Sequence, residues 1–227
     1  MGKGQARVPP PSMQRQLMVD RQLAARGIDS SRVLQAFREV PREAFVPSRL
    51  SAHAYADRPL DIGEGQTISQ PYIVARTLAA LDLHGGERVL EVGTGSGYSA
   101  ALLALLAGEV HTIERIPTLA RSAAARIAEL GATNVHVHVG DGTLGWPEAA
   151  PYEGIAVGAV GPAVPNALLD QLAEGGRLVM PVTTAGSLEQ RLVVVRRLTA
   201  DTFEQDELER VSFVPLIGAF GYAPPPP

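Results

Sequence analysis

The sequence predicts an α/β fold, a largely parallel sheet with helices on both faces, and two observations carry that expectation. From residue 88 onward short β-branched runs (Arg88 to Val92, Val110 to Glu114, Val135 to Val139, Ile155 to Val160, Arg177 to Val182) alternate with helical patterns at about 97–107, 117–130 and 164–173. Repeated strand–helix–strand alternation of this kind makes parallel strands buried on both faces. The second observation is Val89-Leu-Glu-Val-Gly-Thr-Gly-Ser-Gly97, where a strand passes through three glycines straight into an apolar helix. With 227 residues, 45% hydrophobic and 19% charged, the chain can fill one core, and disorder is excluded as its main state.

In chain order, Ser12 is expected to cap a helix to about Arg26, with Leu17, Val19 and Leu23 among its apolar positions and Gly27 as the stop. A second helix starts after Ser30 or Ser31, carries Val33, Leu34 and Phe37 on one stripe, and ends at Pro41. Residues 43–70 read as irregular. Pro71 then opens a helix to about Leu83, at the first-turn position proline favours. After the parallel strands, Arg191 to Leu198 and Leu208 to Leu216 have no helix between them and read as an antiparallel pair at the sheet edge. The expected organisation is a disordered 1–11, a single domain over 12–223 and a proline tail at 224–227. Within the domain, 12–83 is a helical region with no independent stability and 84–223 holds the sheet.

Composition narrows function. The chain has no cysteine, so disulfides, zinc-thiolate sites and thiol nucleophiles are excluded. A formal net charge of −4 provides no global basic field for nucleic acid. No apolar run approaches the roughly 18 residues of a membrane span, and the polar, proline-rich start has no signal-peptide core. A cytoplasmic protein without membrane or nucleic-acid partners is expected, and a monomer.

The glycine segment points to a nucleotide-like ligand. Glycine permits tight turning and close backbone approach, and free N–H groups at the loop and helix start make a polar cradle. A dinucleotide fingerprint needs glycine three residues after the second one, and that position is Tyr98. The glycines fall instead at 93, 95 and 97, after the acid Glu91. S-adenosyl-L-methionine has no pyrophosphate, but it has an ammonium that wants a carboxylate and an adenosine that wants a close backbone wall, and the E-x-G-x-G-x-G form suits it better. Glu114 ends the next strand, where a carboxylate grips ribose hydroxyls. Gly140-Asp-Gly142 ends the third strand on the same rim; alone it reads as a turn, and in that place as a contact to the adenine edge.

With these pieces in place the chain resembles the protein-L-isoaspartate (D-aspartate) O-methyltransferases from about Gln16 to Leu216. The most specific element is Gly65-Gln-Thr-Ile-Ser-Gln-Pro-Tyr72. It is joined by Val40-Pro-Arg-Glu-Ala-Phe-Val-Pro47, Gly93 to Gly97, Ile113-Glu-Arg-Ile116, Gly140-Asp-Gly-Thr143, Gly145-Trp-Pro147, Gly175-Gly-Arg-Leu178 and Phe213-Val-Pro-Leu216. The resemblance implies a Rossmann-like S-adenosylmethionine-dependent methyltransferase fold. It also implies methyl esterification of the α-carboxylate of L-isoaspartyl, and of D-aspartyl, residues in damaged proteins and peptides, then succinimide formation and repair. It makes Ser69 the active-site serine, Glu114 the ribose acid, and Asp141 and Gly142 the adenine contacts. Thr67, Ile68, Glu91, Gly93, Thr94, Gly95, Ser96, Gly97 and Arg115 complete the cofactor side, and Val214 joins Ser69 on the substrate side. Glu153, Thr183 and the residues after Leu216 depart from the family pattern.

The same residues admit other readings. An aspartyl O-methyltransferase dedicated to one maturing peptide would share these motifs, as would a non-catalytic cofactor-binding module. A nucleic-acid amino-methyltransferase is disfavoured because Gly158-Ala-Val-Gly-Pro162 follows the fourth strand in place of a polar-Pro-Pro-aromatic motif. His136 and His138 share a strand face, but no partner stands at metal-ligand spacing, so no metal is expected and both read as surface or packing histidines. Tyr72 reads as core packing, Trp146-Pro147 as a loop closure, and Asp57, Arg58 and Asp61 as a salt-bridged hinge.

Overall fold

The computed structural model describes residues 9–224, so the expectations for residues 1–8 and for the last three prolines lie outside the described residues. One seven-stranded sheet organises the chain, with β3 (Arg88–Val92), β4 (Glu109–Glu114), β5 (Val135–Val139), β6 (Tyr152–Val157), β7 (Leu172–Thr183), β8 (Gln190–Thr199) and β9 (Thr202–Val211) in the order β5-β4-β3-β6-β7-β8-β9. The first five are parallel to one another, and β8 and β9 run antiparallel at the edge. The fold is thus the Rossmann-like α/β arrangement expected. Chain order reverses between β3 and β6, so the loops leaving their C-terminal ends diverge and open a crevice there.

The central strands are apolar on both faces because both faces are covered. Val89, Leu90 and Val92 of β3 and Ile155, Ala156 and Val157 of β6 are buried. α4 (Tyr98–Leu106) is apolar nearly all round and lies inside the molecule, with Tyr98, Leu102, Leu103 and Leu106 buried. The N-terminal helices close over it: α1 (Pro11–Met18) and α2 (Ser31–Glu39) put Met18, Val33 and Phe37 into one cluster with these leucines. Phe37 and Phe45 meet the Tyr98 ring edge-on, with centroids 5.9 and 5.5 Å away, the arrangement aromatic quadrupoles favour. α3 (Pro71–Leu81), α5 (Pro117–Glu129) and the short α6 (Asn166–Asp170) complete the helical layers. No helix among the described residues is long and apolar enough to cross a membrane.

Several boundaries differ from the sequence expectation. The first helix starts at Pro11, so Ser12 is not its cap; it continues through a π-helical turn at Val19–Leu23 and a 3-10 turn to Arg26, and Gly27 at φ 89° ends it. Ser30 does cap α2, its hydroxyl accepting from Val33 N–H at 3.4 Å. The stretch expected to be irregular contains a β-hairpin of β1 (Leu60–Gly63) and β2 (Gln66–Ile68), turned by Glu64 at φ 55° and Gly65 at φ 68°. Two consecutive positive φ values make the primed turn that matches strand twist. Asp57 and Asp61 pair with Arg26 at 2.7 Å and Arg49 at 2.5 Å, and Arg58 forms no ion pair among the described residues.

The last strand also required correction. β9 runs over 202–211, joined to β8 by a tight turn, and not over 208–216. Val214 to Leu216 instead lie beside Val160, whose N–H donates to Val214 O at 2.9 Å and whose carbonyl accepts from Leu216 N–H at 2.8 Å. That bridge carries the C-terminal segment back over the crevice at the ends of β3 and β6.

Candidate active site

The loop after β3 is shaped by its glycines. Gly93, Gly95 and Gly97 have φ of 94°, 53° and 89°, in the left-handed region that side chains avoid. Their surroundings separate their uses. Gly93 and Gly95 line the crevice. A Cβ on Gly97 would lie 3.1 Å from Ala123 Cβ, so that glycine lets α5 pack on the start of α4, and it does not line the crevice. Thr94 and Ser96 are buried; the Thr94 and Thr112 hydroxyls lie 2.6 Å apart.

Three carboxylates stand around this loop in different states. Glu91 is buried at the crevice floor, where Thr112 Oγ1 donates to it at 2.6 Å. Burial pushes its carboxyl up to about 7, against the opposing hydroxyls of Thr112 and Ser99. Glu114 accepts Gly95 N–H on one oxygen and Ile116 N–H on the other, both at 2.9 Å, and so ties the β3 and β4 loops together. Asp141 Oδ1 accepts from Thr143 N–H at 2.9 Å and Thr143 Oγ1 at 2.7 Å, and Oδ2 accepts from Ala219 N–H at 2.7 Å. Burial works to raise the Asp141 carboxyl, but the bonds from the Thr143 hydroxyl, Ala219 N–H and Thr143 N–H together hold it below its ordinary value. The C-terminal segment is therefore anchored on Asp141, a role that the plain sequence pattern of Gly140-Asp-Gly142 did not announce.

The crevice has three contiguous lobes. The inner lobe, about 80 Å³, is walled by Glu91, Gly93 to Ser96, Thr67 to Ser69, Ser99 and Ala156 to Gly158. A second, about 70 Å³, lies over Ile113, Glu114, Arg115, Gly142 and Val214 to Ile217. A third, about 320 Å³, lies between Pro59, Thr67, Ser69, Gln70, Ile73 and the chain leaving β9 at Arg210 to Val214. Ser69 borders both the inner and the third lobe. Val214 borders the second and third, its carbonyl held by Val160 while its N–H has no partner among the described residues. Of the residues singled out from sequence, all but Gly97 and Asp141 line one lobe or another.

The sequence reading assigned no role to Arg42, which lies behind Ser69. Its side chain is 0% exposed. Nε donates to Ala54 O at 2.7 Å and Nη2 donates to Ser69 O at 2.8 Å, and the guanidinium lies 4.9 Å over the Tyr98 ring. Burial pulls its pKa down to about 10. Arg42 Nη1 and the Tyr98 hydroxyl are both buried without a hydrogen-bond partner. Arg42 lies within Val40 to Pro47, but nothing local marks an arginine as interior. Phe213 stands half-buried on the lip between the inner and third lobes, a place set by the path of the chain after β9.

Comparison with known proteins agrees with this geometry. The family model described as "Protein-L-isoaspartate(D-aspartate) O-methyltransferase (PCMT)" matches residues 13–220. The chain is 58% identical over 210 residues to protein-L-isoaspartate O-methyltransferase 1 of Rhodopseudomonas palustris (strain HaA2), covering 92% of this chain and 85% of that one. It is 57% identical over 208 residues to protein-L-isoaspartate O-methyltransferase 2 of Marinobacter nauticus, covering 92% and 94%. Among solved structures, one protein-L-isoaspartate O-methyltransferase superposes with a TM-score of 0.81 at 30% identity, over 91% of this chain and 67% of that one. A Plasmodium falciparum structure assigned to the same activity, in complex with S-adenosyl-L-homocysteine, superposes with a TM-score of 0.76 at 25% identity, over 92% and 99%.

Proposed function

The chain belongs to the protein-L-isoaspartate(D-aspartate) O-methyltransferase family, and from that premise we infer that it esterifies the α-carboxylate of L-isoaspartyl residues in damaged proteins and peptides, with S-adenosyl-L-methionine as methyl donor. The observation that carries the reading is the position of Ser69, on the border between the inner lobe and the wide third lobe.

The residues present suit the donor. Glu91 is a buried carboxylate with only hydroxyl partners, and it faces a lobe walled by glycine backbone. A group of that kind is costly to keep ionised alone and favours an incoming ammonium. Gly142 has no room for a side chain, since a Cβ would come 2.5 Å from Val92 Cγ1, which leaves a close, flat wall in the second lobe. Glu91 and the loop Gly93 to Ser96, with Thr67 and Ile68, would hold the amino-acid end; Glu114, Arg115, Gly142 and the backbone after Asp141 would hold the adenosine. When bound, the donor supplies a methyl group on a sulfonium, which leaves its electron pair on sulfur as a neutral thioether.

The chain's own task is then positioning. The attacking carboxylate is ionised at neutral pH without a general base. Ser69 Oγ–H donates to one of its oxygens, fixes its angle and leaves the other free to attack along the line of the breaking bond. Ile68 and Ile73 limit water around the reacting atoms; charge is lost on both partners, so a poorly hydrated site favours the reaction. The free Val214 N–H pairs with the main chain of the substrate, which suits recognition of damage at any sequence. The ester carbonyl can expel methanol where the carboxylate would have to expel hydroxide, so the following backbone nitrogen attacks it, loses its proton, and closes the succinimide without further catalysis. Residues 12–223 act as one domain, and we take the chain to work as a cytoplasmic monomer on protein substrates.

The test is methyl transfer from tritiated donor to an isoaspartyl peptide and its aspartyl twin. Base-labile label on the isoaspartyl peptide alone is expected. In Ser69→Ala, kcat should fall about 100-fold, the scale of one lost preorganised donor, with S-adenosyl-L-homocysteine affinity within about twofold of wild type. Label on neither peptide overturns the activity; equal loss of turnover and affinity overturns the role of Ser69.

A further inference from the structure

The histidines set aside in the sequence gain their missing partners through strand register. In the parallel pair β4–β5, His111 lies opposite His136 and Ile113 opposite His138, so the three imidazoles share one face of the sheet. Glu109, two residues before His111, points to that face as well. The His111 ring stacks at 4.9 Å on His136 and at 5.2 Å on His138. Glu109 Oε1 lies 3.2 Å from His111 Nε2 and 3.7 Å from His136 Nε2, and the three ligating atoms fall within 4.8 Å of one another.

We propose that Glu109, His111 and His136 form a binding site for a borderline divalent transition-metal ion of the zinc type, separate from the methyl-transfer crevice. Zinc binds imidazole nitrogen and carboxylate oxygen at about 2.0–2.2 Å, which puts tetrahedral ligands roughly 3.3 Å apart. The 3.2 Å spacing already matches, the 3.7 Å spacing is somewhat long, and the half-exposed His136 (49%) is free to close in on both partners. Two imidazoles and one carboxylate select such an ion over magnesium or calcium, which take oxygen ligands.

The surroundings are organised as a metal site's supports are. His138 Nε2 lies 3.0 Å from His111 Nδ1. Without an ion, His111 Nε2 is within hydrogen-bond reach of the Glu109 carboxylate at 3.2 Å; an ion at Nε2 would take the place of that proton, and His111 would then donate from Nδ1 to His138, the second hydrogen bond that orients metal-bound histidines. His138 is fixed in turn by stacking on Trp146 at 3.9 Å. Arg88 Nε donates to the other Glu109 oxygen at 2.7 Å and holds the carboxylate in place with Oε1 turned to the two imidazoles. The cationic Arg88 opposes a second positive charge, and Glu148 near His138 partly offsets it, so the site suits modest affinity. His111 stands three residues before Glu114 on β4, about 10 Å along the strand from the crevice rim.

The test is a calorimetric titration of zinc chloride into the untagged, chelator-stripped full chain at pH 7.5, with magnesium chloride in parallel. Zinc should bind with one equivalent per chain, and magnesium should not. His136→Ala should weaken zinc at least tenfold. His138→Phe, which keeps a ring against Trp146 but loses the bond to His111, should weaken it about tenfold. His84→Ala, a histidine outside the cluster, should bind as wild type does. Zinc binding no tighter in wild type than in His136→Ala, or weakened as much by His84→Ala, overturns the proposal. His136 is exposed, so the variant folds, and methyl transfer by the same preparations confirms this.

Discussion

The buried acid under the inner lobe makes the affinity of the donor site depend on pH in a calculable way. Glu91 titrates at about 7 in the free chain because burial penalises its charge. A ligand ammonium binds the ionised form, so binding has to remove the proton wherever Glu91 carries one. At a pKa of 7 the carboxyl is roughly one-eleventh ionised at pH 6 and about three-quarters ionised at pH 7.5, so affinity should rise about eightfold between them. An ordinary carboxyl near 4.5 would give no change over that range. Calorimetry with S-adenosyl-L-homocysteine in buffers of different ionisation heat measures both the affinity and the protons released. Release of nearly one proton at pH 6, falling through pH 7, is expected, and Glu91→Gln should abolish both the release and the slope. A flat profile in the wild-type chain would refute the reasoning. The sign for folding is the reverse: a raised carboxyl favours the protonated native state, so its contribution to stability is present below pH 4.5 and is lost as pH rises through 7.

Two further outcomes follow from the packing. Arg42→Met leaves Ala54 O and Ser69 O without donors, which should cost about 2–4 kcal/mol and lower Tm by roughly 5–10 °C; kcat should fall more than the affinity for S-adenosyl-L-homocysteine, and Arg42→Lys should restore part of it. Gly218→Ala places a Cβ 2.0 Å from Asp141 Oδ1 and so lifts the segment that walls the second lobe; weaker S-adenosyl-L-homocysteine binding and faster proteolysis near the C-terminus are expected, and unchanged values in both assays would show that the anchor on Asp141 is dispensable.

What was legible in the sequence was local. The glycine loop, its flanking acids and the β-branched central strands declare themselves because each depends on neighbours in the chain. β9 escaped because Thr202 to Glu207 are all exposed and, Phe203 apart, polar, so no buried face imposes alternation on them. The hairpin at 60–68 escaped because its strands are four and three residues long and its turn is Glu-Gly, in place of the common Asn-Gly. Arg42 and the Glu109–His111–His136 cluster escaped for a different reason. The first depends on burial by elements far along the chain, and the second on the register of two strands that periodicity cannot supply.

Glu114 binds two loops of its own chain before it can meet anything else. The rim is therefore rigid in advance, and little conformational freedom is left to surrender when the donor arrives. It also means that truncating Glu114 to alanine would deform the glycine turn while removing a contact to ribose. A loss of affinity in such a variant would measure the collapse of the scaffold together with the missing bond, and Glu114→Gln, which keeps one acceptor oxygen, is the fairer probe.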